Sequence, residues 1–116
     1  MTENIFHITT HTTWSAGQKS GEYRADSLEQ VGFIHCSKAA QVLRVANDYF
    51  SGQQGLLILM LDPSKLKVEV RWEPGSDRAD ELFPHIYGPV DLDAVVGVFE
   101  FKPGPDGKYS LPAGLK

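Results

Sequence analysis

GFIHCSKAAQVLRVANDYFSGQQGLLILML, residues Gly32–Leu61, changes its hydrophobic period twice, and those changes decide the fold class. Phe33–Cys36 is a short apolar run broken by one histidine and reads as a strand. From Lys38 to Phe50 the period lengthens. Val42, Val45, Ala46, Tyr49 and Phe50 recur at i, i+3, i+4, i+7 and i+8, the stripe of a helix with one buried face. Ser37 is the expected N-cap, and Gly52 and Gly55 are the expected stop. Leu56–Leu61 is then apolar without a break, as in a central strand covered on both faces.

Working outward, Ile5–Thr9 reads as a first strand, and Thr12 or Thr13 as the cap of a short helix over Trp14–Lys19 that Gly21 ends. Ser27 and Gln30 have capping-box spacing and predict one helical turn stopping near Gly32. Downstream, Asp62–Lys65 is a turn. Lys67–Glu73 alternates so that Val68, Val70 and Trp72 are predicted to face inward. The polar Pro74–Glu81 stretch is the expected mobile loop. Leu82–Tyr87 is extended, and Pro84 predicts an edge or rim position for it. Val95–Lys102 is the last long strand, and the turn-rich tail from Pro103 has room for one more short strand. Strands outnumber helices. The expected architecture is a single α+β domain over residues 1–116: a bent, mostly antiparallel split β-sheet with one long and one or two short helices.

Composition removes several classes of function. With 41% hydrophobic and 22% charged residues among 116, the chain can bury a core without a metal or disulfide framework. Eleven basic against fifteen acidic residues give a net charge of −4, so neither nucleic acid nor an anionic membrane is the expected partner. The longest apolar run, six residues, is far below the ~20 of a membrane helix. The first residues lack the charged and apolar regions of a secretory signal, and Cys36 is the single cysteine. A reducing, cytoplasmic location is therefore expected.

The chemistry resides in the histidines. His7, His35 and His85 each interrupt an apolar strand, where a histidine must either be tied to backbone in the core or face a cavity. Period two puts Phe33, His35 and Ser37 on one strand face, and Phe83, His85 and Tyr87 on another. Polar side chains beside aromatic rings are what a pocket for a flat, polar ligand presents. His7 and His11 need not converge, and His35 and Cys36 point to opposite faces, so no metal site is expected. Cys36 reads as a buried, inert thiol. Glu73, at the end of its strand, is either a general base or ribose ligand or a solvated charge. Tyr23 is a candidate pocket wall, and Trp14 reads as core.

The phrases Phe33-Ile34-His35-Cys36-Ser37 and Phe83-Pro84-His85-Ile86-Tyr87-Gly88-Pro89, with Arg71-Trp72-Glu73 between them, resemble a small bacterial family catalogued as domain of unknown function 952. That family is grouped with the ADP-ribosyltransferase-like fold, a split sheet that binds NAD between its halves. Phe6-His7-Ile8-Thr9 resembles the first-strand His-Gly-Thr of those enzymes, with Ile8 in place of the glycine. Phe33–Ser37 resembles the His-x-Ser of the tRNA 2′-phosphotransferase branch. The resemblance implies a nucleotide-like small-molecule ligand, with NAD as substrate rather than tightly bound cofactor. It also implies His85, His35 and Glu73 as catalytic residues, and His7, Thr9, Ser37, Tyr87 and Phe33 as ligand-binding residues. The alternative is a non-catalytic module, binding a small molecule or a protein, that keeps the pocket.

Overall fold

A computed structural model describes residues 3–75 and 79–112. The chain runs through β1 (Ile5–Thr10), α1 (His11–Ser20), β2 (Glu22–Tyr23), α2 (Asp26–Val31), β3 (Ile34–His35) and α3 (Ala39–Tyr49). It continues with β4 (Leu56–Leu61), β5 (Val70–Pro74), β6 (Leu82–Ile86), β7 (Val90–Asp91) and β8 (Val95–Phe101), with 3-10 turns at Pro63–Lys65 and Leu92–Ala94. All the sheets are antiparallel: β1-β4-β8, β3-β6-β5 and the small pair β2-β7. The two three-stranded sheets meet at one point, where Phe6 and Ser37 exchange both backbone hydrogen bonds at 2.8 Å.

β4 is the central strand its unbroken apolar run predicts, with Leu56, Leu57, Ile58, Leu59 and Leu61 all buried. Its two faces feed two cores. Leu59 and Leu61 pack with Ile5, Tyr23, Ile34 and Ile86. Leu56 and Ile58 pack with Phe6, Phe101 and the α3 residues Val42 and Ala46. One strand thus ties both sheets and the amphipathic helix together.

Several boundaries differ from expectation. The cap of α1 is Thr10, whose Oγ1 accepts from the Thr13 amide at 3.1 Å, so this helix begins at His11 and is nearly as long as α3. Ala25 occupies the cap of α2 without a side-chain bond, and Ser27 lies inside the helix. Ser37 does not cap α3, because its backbone is committed to Phe6. Lys38 takes that position, and its amide donates to Gln41 Oε1 at 2.9 Å.

Pro84 lies in β6, the middle strand of its sheet, rather than at an edge. It faces Cys36, just past the two-residue β3, whose amide donates to Pro84 O at 3.1 Å. The proline's missing donor thus falls where β3 has already ended. Trp72 is 47% exposed rather than inward: it stands opposite Pro84 at the middle of the β5–β6 hairpin, and β5 is an edge strand. No strand follows β8 among the described residues. The expected loop is shortened from both sides by the hydrogen bond from Gly75 N to Glu81 O, and its residues 76–78 lie outside the described set.

Candidate functional site

Past the Phe6–Ser37 bridge, β1 and β3 no longer pair, and residues of both line a cleft of about 800 Å³. α2, α3 and β6 complete its walls through Asp26, Val45, Phe83 and other side chains. His7, Thr9, Phe33, His35, Ser37 and His85 all line it, so the three strand histidines share one cavity.

The β1 wall is internally saturated. His7 Nδ1 lies 2.6 Å from the carbonyl oxygen of His35 and must donate to it. His7 thereby reaches across the gap where backbone pairing has stopped. Its Nε2 lies 2.7 Å from the Tyr23 hydroxyl, which is also 2.7 Å from Thr9 Oγ1. Burial pushes the His7 imidazole down to about 4, so the ring is neutral at pH 7 and Nε2 accepts the phenolic proton. Burial also pushes the Tyr23 phenol up. Gly17 of α1 permits this arrangement: a Cβ there would sit 3.1 Å from Tyr23 Cα and 3.2 Å from its ring.

The β6 wall is different. Antiparallel register sets His35, His85 and Arg71 side by side on one face of β3-β6-β5. His85 is buried and stacks on Phe33, ring centroids 4.1 Å apart and planes inclined by 17°. Its Nδ1 lies 2.8 Å from Glu73 Oε1, and the Tyr87 hydroxyl donates to that same oxygen at 2.6 Å. These two hydrogen bonds, Tyr87 foremost, hold the Glu73 carboxyl below its usual range. Donating to Glu73 raises the Tyr87 phenol, and the Arg71 guanidinium lies 4.5 Å over the Tyr87 ring. Burial, then the neighbouring His85, lowers the exposed His35. Neither His85 Nε2 nor either ring nitrogen of His35 has a hydrogen-bond partner among the described residues.

Glu73 and Tyr87 stand behind His85 rather than in the cleft lining. Cys36 lines the cleft, but its thiol is buried and pushed well up. Sequence reasoning missed two contributors. Arg71 caps the Tyr87–Glu73–His85 chain, and only its two-residue offset from Glu73 on one strand face could have flagged it. Gln41 is buried in α3 and donates to Glu81 Oε2 at 2.8 Å and to Leu82 O at 2.9 Å, anchoring the end of the β5–β6 hairpin. Its signal was its position three residues after the helix cap. No three His, Cys, Asp or Glu side chains among the described residues converge as a metal site.

The family model described as "Protein of unknown function (DUF952)" matches residues 8–98, which take in the cleft lining from Ile8 to His85 but not Phe6 and His7. The chain belongs to the DUF952 family. Two solved structures of protein CC0527 from Caulobacter crescentus resemble it. The crystal structure is 27% identical with a TM-score of 0.84 and 97% of each chain covered. The solution structure is 27% identical with a TM-score of 0.77 and 90% of each chain covered. No curated protein matches the chain. The fold is therefore shared with CC0527. None of the chain's described helices is long and apolar enough to cross a membrane.

Proposed function

We propose that the cleft takes a small nucleotide-class ligand in the cytoplasm, and that His35 with the Glu73-backed His85 performs acid–base chemistry on it. NAD and ADP-ribose are the ligands that the ADP-ribosyltransferase-like resemblance implies. The observation that carries this reading is the Nε2 of His85, which has no partner among the described residues, on a cleft-lining ring whose other nitrogen is fixed by an ionised carboxylate. A carboxylate on Nδ1 sets tautomer and orientation, and leaves Nε2 to exchange a proton with whatever binds. Phe33, held against His85, offers an aromatic surface for a base, and the Thr9 and Ser37 hydroxyls offer polar contacts to a ribose.

The contribution of His7 is indirect in this reading. Its two nitrogens hold β1 to β3 and to Tyr23, so it shapes the cleft instead of binding a ribose hydroxyl. That commitment, with Ile8 standing where the resemblance has glycine, favours the second reading: a module that binds without turnover. Thermal shift with NAD, ADP-ribose and nucleoside 2′-phosphates tests both. A true ligand at 100 times its Kd stabilises by ~2.7 kcal/mol. His35→Ala is expected to reduce that shift, and no shift with any of the three defeats the nucleotide reading. A shift without any chemical change in the ligand favours the binding module.

A further inference from the structure

We propose that His35 and His85 are the general base and general acid of a ribose phosphodiester hydrolysis. The inference rests on the cleft accepting a nucleotide-class ligand and specifies what happens to it. The two residues lie directly opposite each other across β3 and β6, with ring centroids 5.6 Å apart and planes inclined by 65°. A single phosphoryl group in the cleft reaches both rings.

Their surroundings are unequal. Facing His85 are Glu73 and Arg71 from β5, Tyr87 from just past the end of its own strand, and His35 from β3. The charge of Arg71 is already engaged, by Glu69 at 3.0 Å and by the Tyr87 ring. Glu73 therefore supplies a counter-charge to His85 and to no other histidine. His35 has only the Phe33 ring, at 4.9 Å, and His85 beside it. His85 is thus the ring backed by a carboxylate, and His35 the ring without one. Two neighbouring groups with such opposed environments divide into acid and base. Among the described cleft residues Asp26 carries the only permanent charge, and it is negative. One imidazolium matches the single negative charge of a phosphodiester, and Asp26 opposes a second.

With a nucleoside 2′,3′-cyclic phosphate the step balances as follows. A water molecule gives a proton to a His35 ring nitrogen while its oxygen bonds to phosphorus. The P–O3′ bond breaks, and O3′ takes the proton from His85 Nε2. A nucleoside 2′-monophosphate leaves; breaking P–O2′ instead gives the 3′ isomer. His35 has gained one proton and His85 has lost one, and exchange with solvent restores both. Glu73 is a positioning residue that touches no reacting atom.

The experiment supplies nucleoside 2′,3′-cyclic monophosphates, follows turnover by phosphorus NMR and measures binding by calorimetry. Conversion to monophosphate is expected, with a bell-shaped pH profile. His35→Ala and His85→Ala are each expected to lower kcat by ~10²–10⁴-fold. Should His85→Ala fail to fold, as a melting curve reveals, His85→Gln replaces it. Glu73→Gln removes the carboxylate behind Nδ1 and is expected to lower kcat while leaving KM and the calorimetric Kd unchanged, a split that a merely structural role would not produce. Binding without turnover overturns the acid–base pair and leaves the cleft reading intact. Absence of both overturns the two together. Wild-type turnover in either histidine variant overturns the assignment of roles.

Discussion

The two walls of the cleft use the same residue type for opposite ends. On β1, His7 spends both nitrogens on the protein, bonding the His35 carbonyl and the Tyr23 hydroxyl, and burial keeps it neutral. On β6, His85 spends one nitrogen on Glu73, and among the described residues its other nitrogen and both of the facing His35 have no hydrogen-bond partner. The difference follows from what lies across each strand. β1 has lost its backbone partner past Ser37, and a side chain substitutes for the missing ladder bond. β6 is paired by backbone on both sides, so no side chain of its outward face has to stand in for a ladder bond. A histidine in a strand is therefore not a site by itself; the hydrogen-bond ledger of its two nitrogens decides.

Breaking the saturated wall should have the largest effect. His7→Ala opens a cavity in place of a buried ring, so a loss of ~3–5 kcal/mol is expected in denaturant unfolding. An effect below ~1 kcal/mol would remove His7 from the role of strut. The same residue predicts acid sensitivity. Its folded-state value of about 4 lies below the ordinary 6.5, so the unfolded chain binds a proton first. The stability involved is fully present above pH 6.5 and is lost as pH falls toward 4. Its size is ~3 kcal/mol at 1.36 kcal/mol per pH unit. Unfolding curves between pH 7 and 4 measure it, and His7→Ala should flatten that dependence.

Tyr23→Phe comes next. It strips Nε2 of His7 of its donor, and leaving a buried acceptor unpaired costs ~1–3 kcal/mol. The smallest stability effect belongs to the open wall. His35→Ala removes an exposed ring without hydrogen bonds and should change stability by less than ~0.5 kcal/mol while reducing nucleotide affinity. If His35→Ala destabilises as much as Tyr23→Phe, the contrast between the walls fails.

Much of this architecture was legible in the sequence, for definite reasons. The long runs spoke clearly: Leu56–Leu61 is central because nothing polar interrupts it, and α3 forms where Val42, Val45, Ala46 and Phe50 recur at helical spacing. Two-residue strands such as β2 and β7 are too short to show a period. Pro84 misled because tolerance for a proline depends on where β3 ends, a fact held 48 residues earlier at Cys36. Gathering three strand histidines into one cleft followed from their apolar flanks. Their division into one strut and two rings with unpaired nitrogens did not, because the partners of His7 lie 16 and 28 residues away. The partner of His85, Glu73, is in closer reach at 12 residues, across a single hairpin; the sequence marked it as a candidate but did not pair it with His85.

The most direct test of the contrast between the walls is a nucleotide titration followed through the imidazole NMR signals of the three histidines. His35 and His85 should shift with ligand, while His7 keeps the fixed tautomer protonated at Nδ1. Ligand-dependent shifts at His7, with His35 and His85 unmoved, would contradict the account.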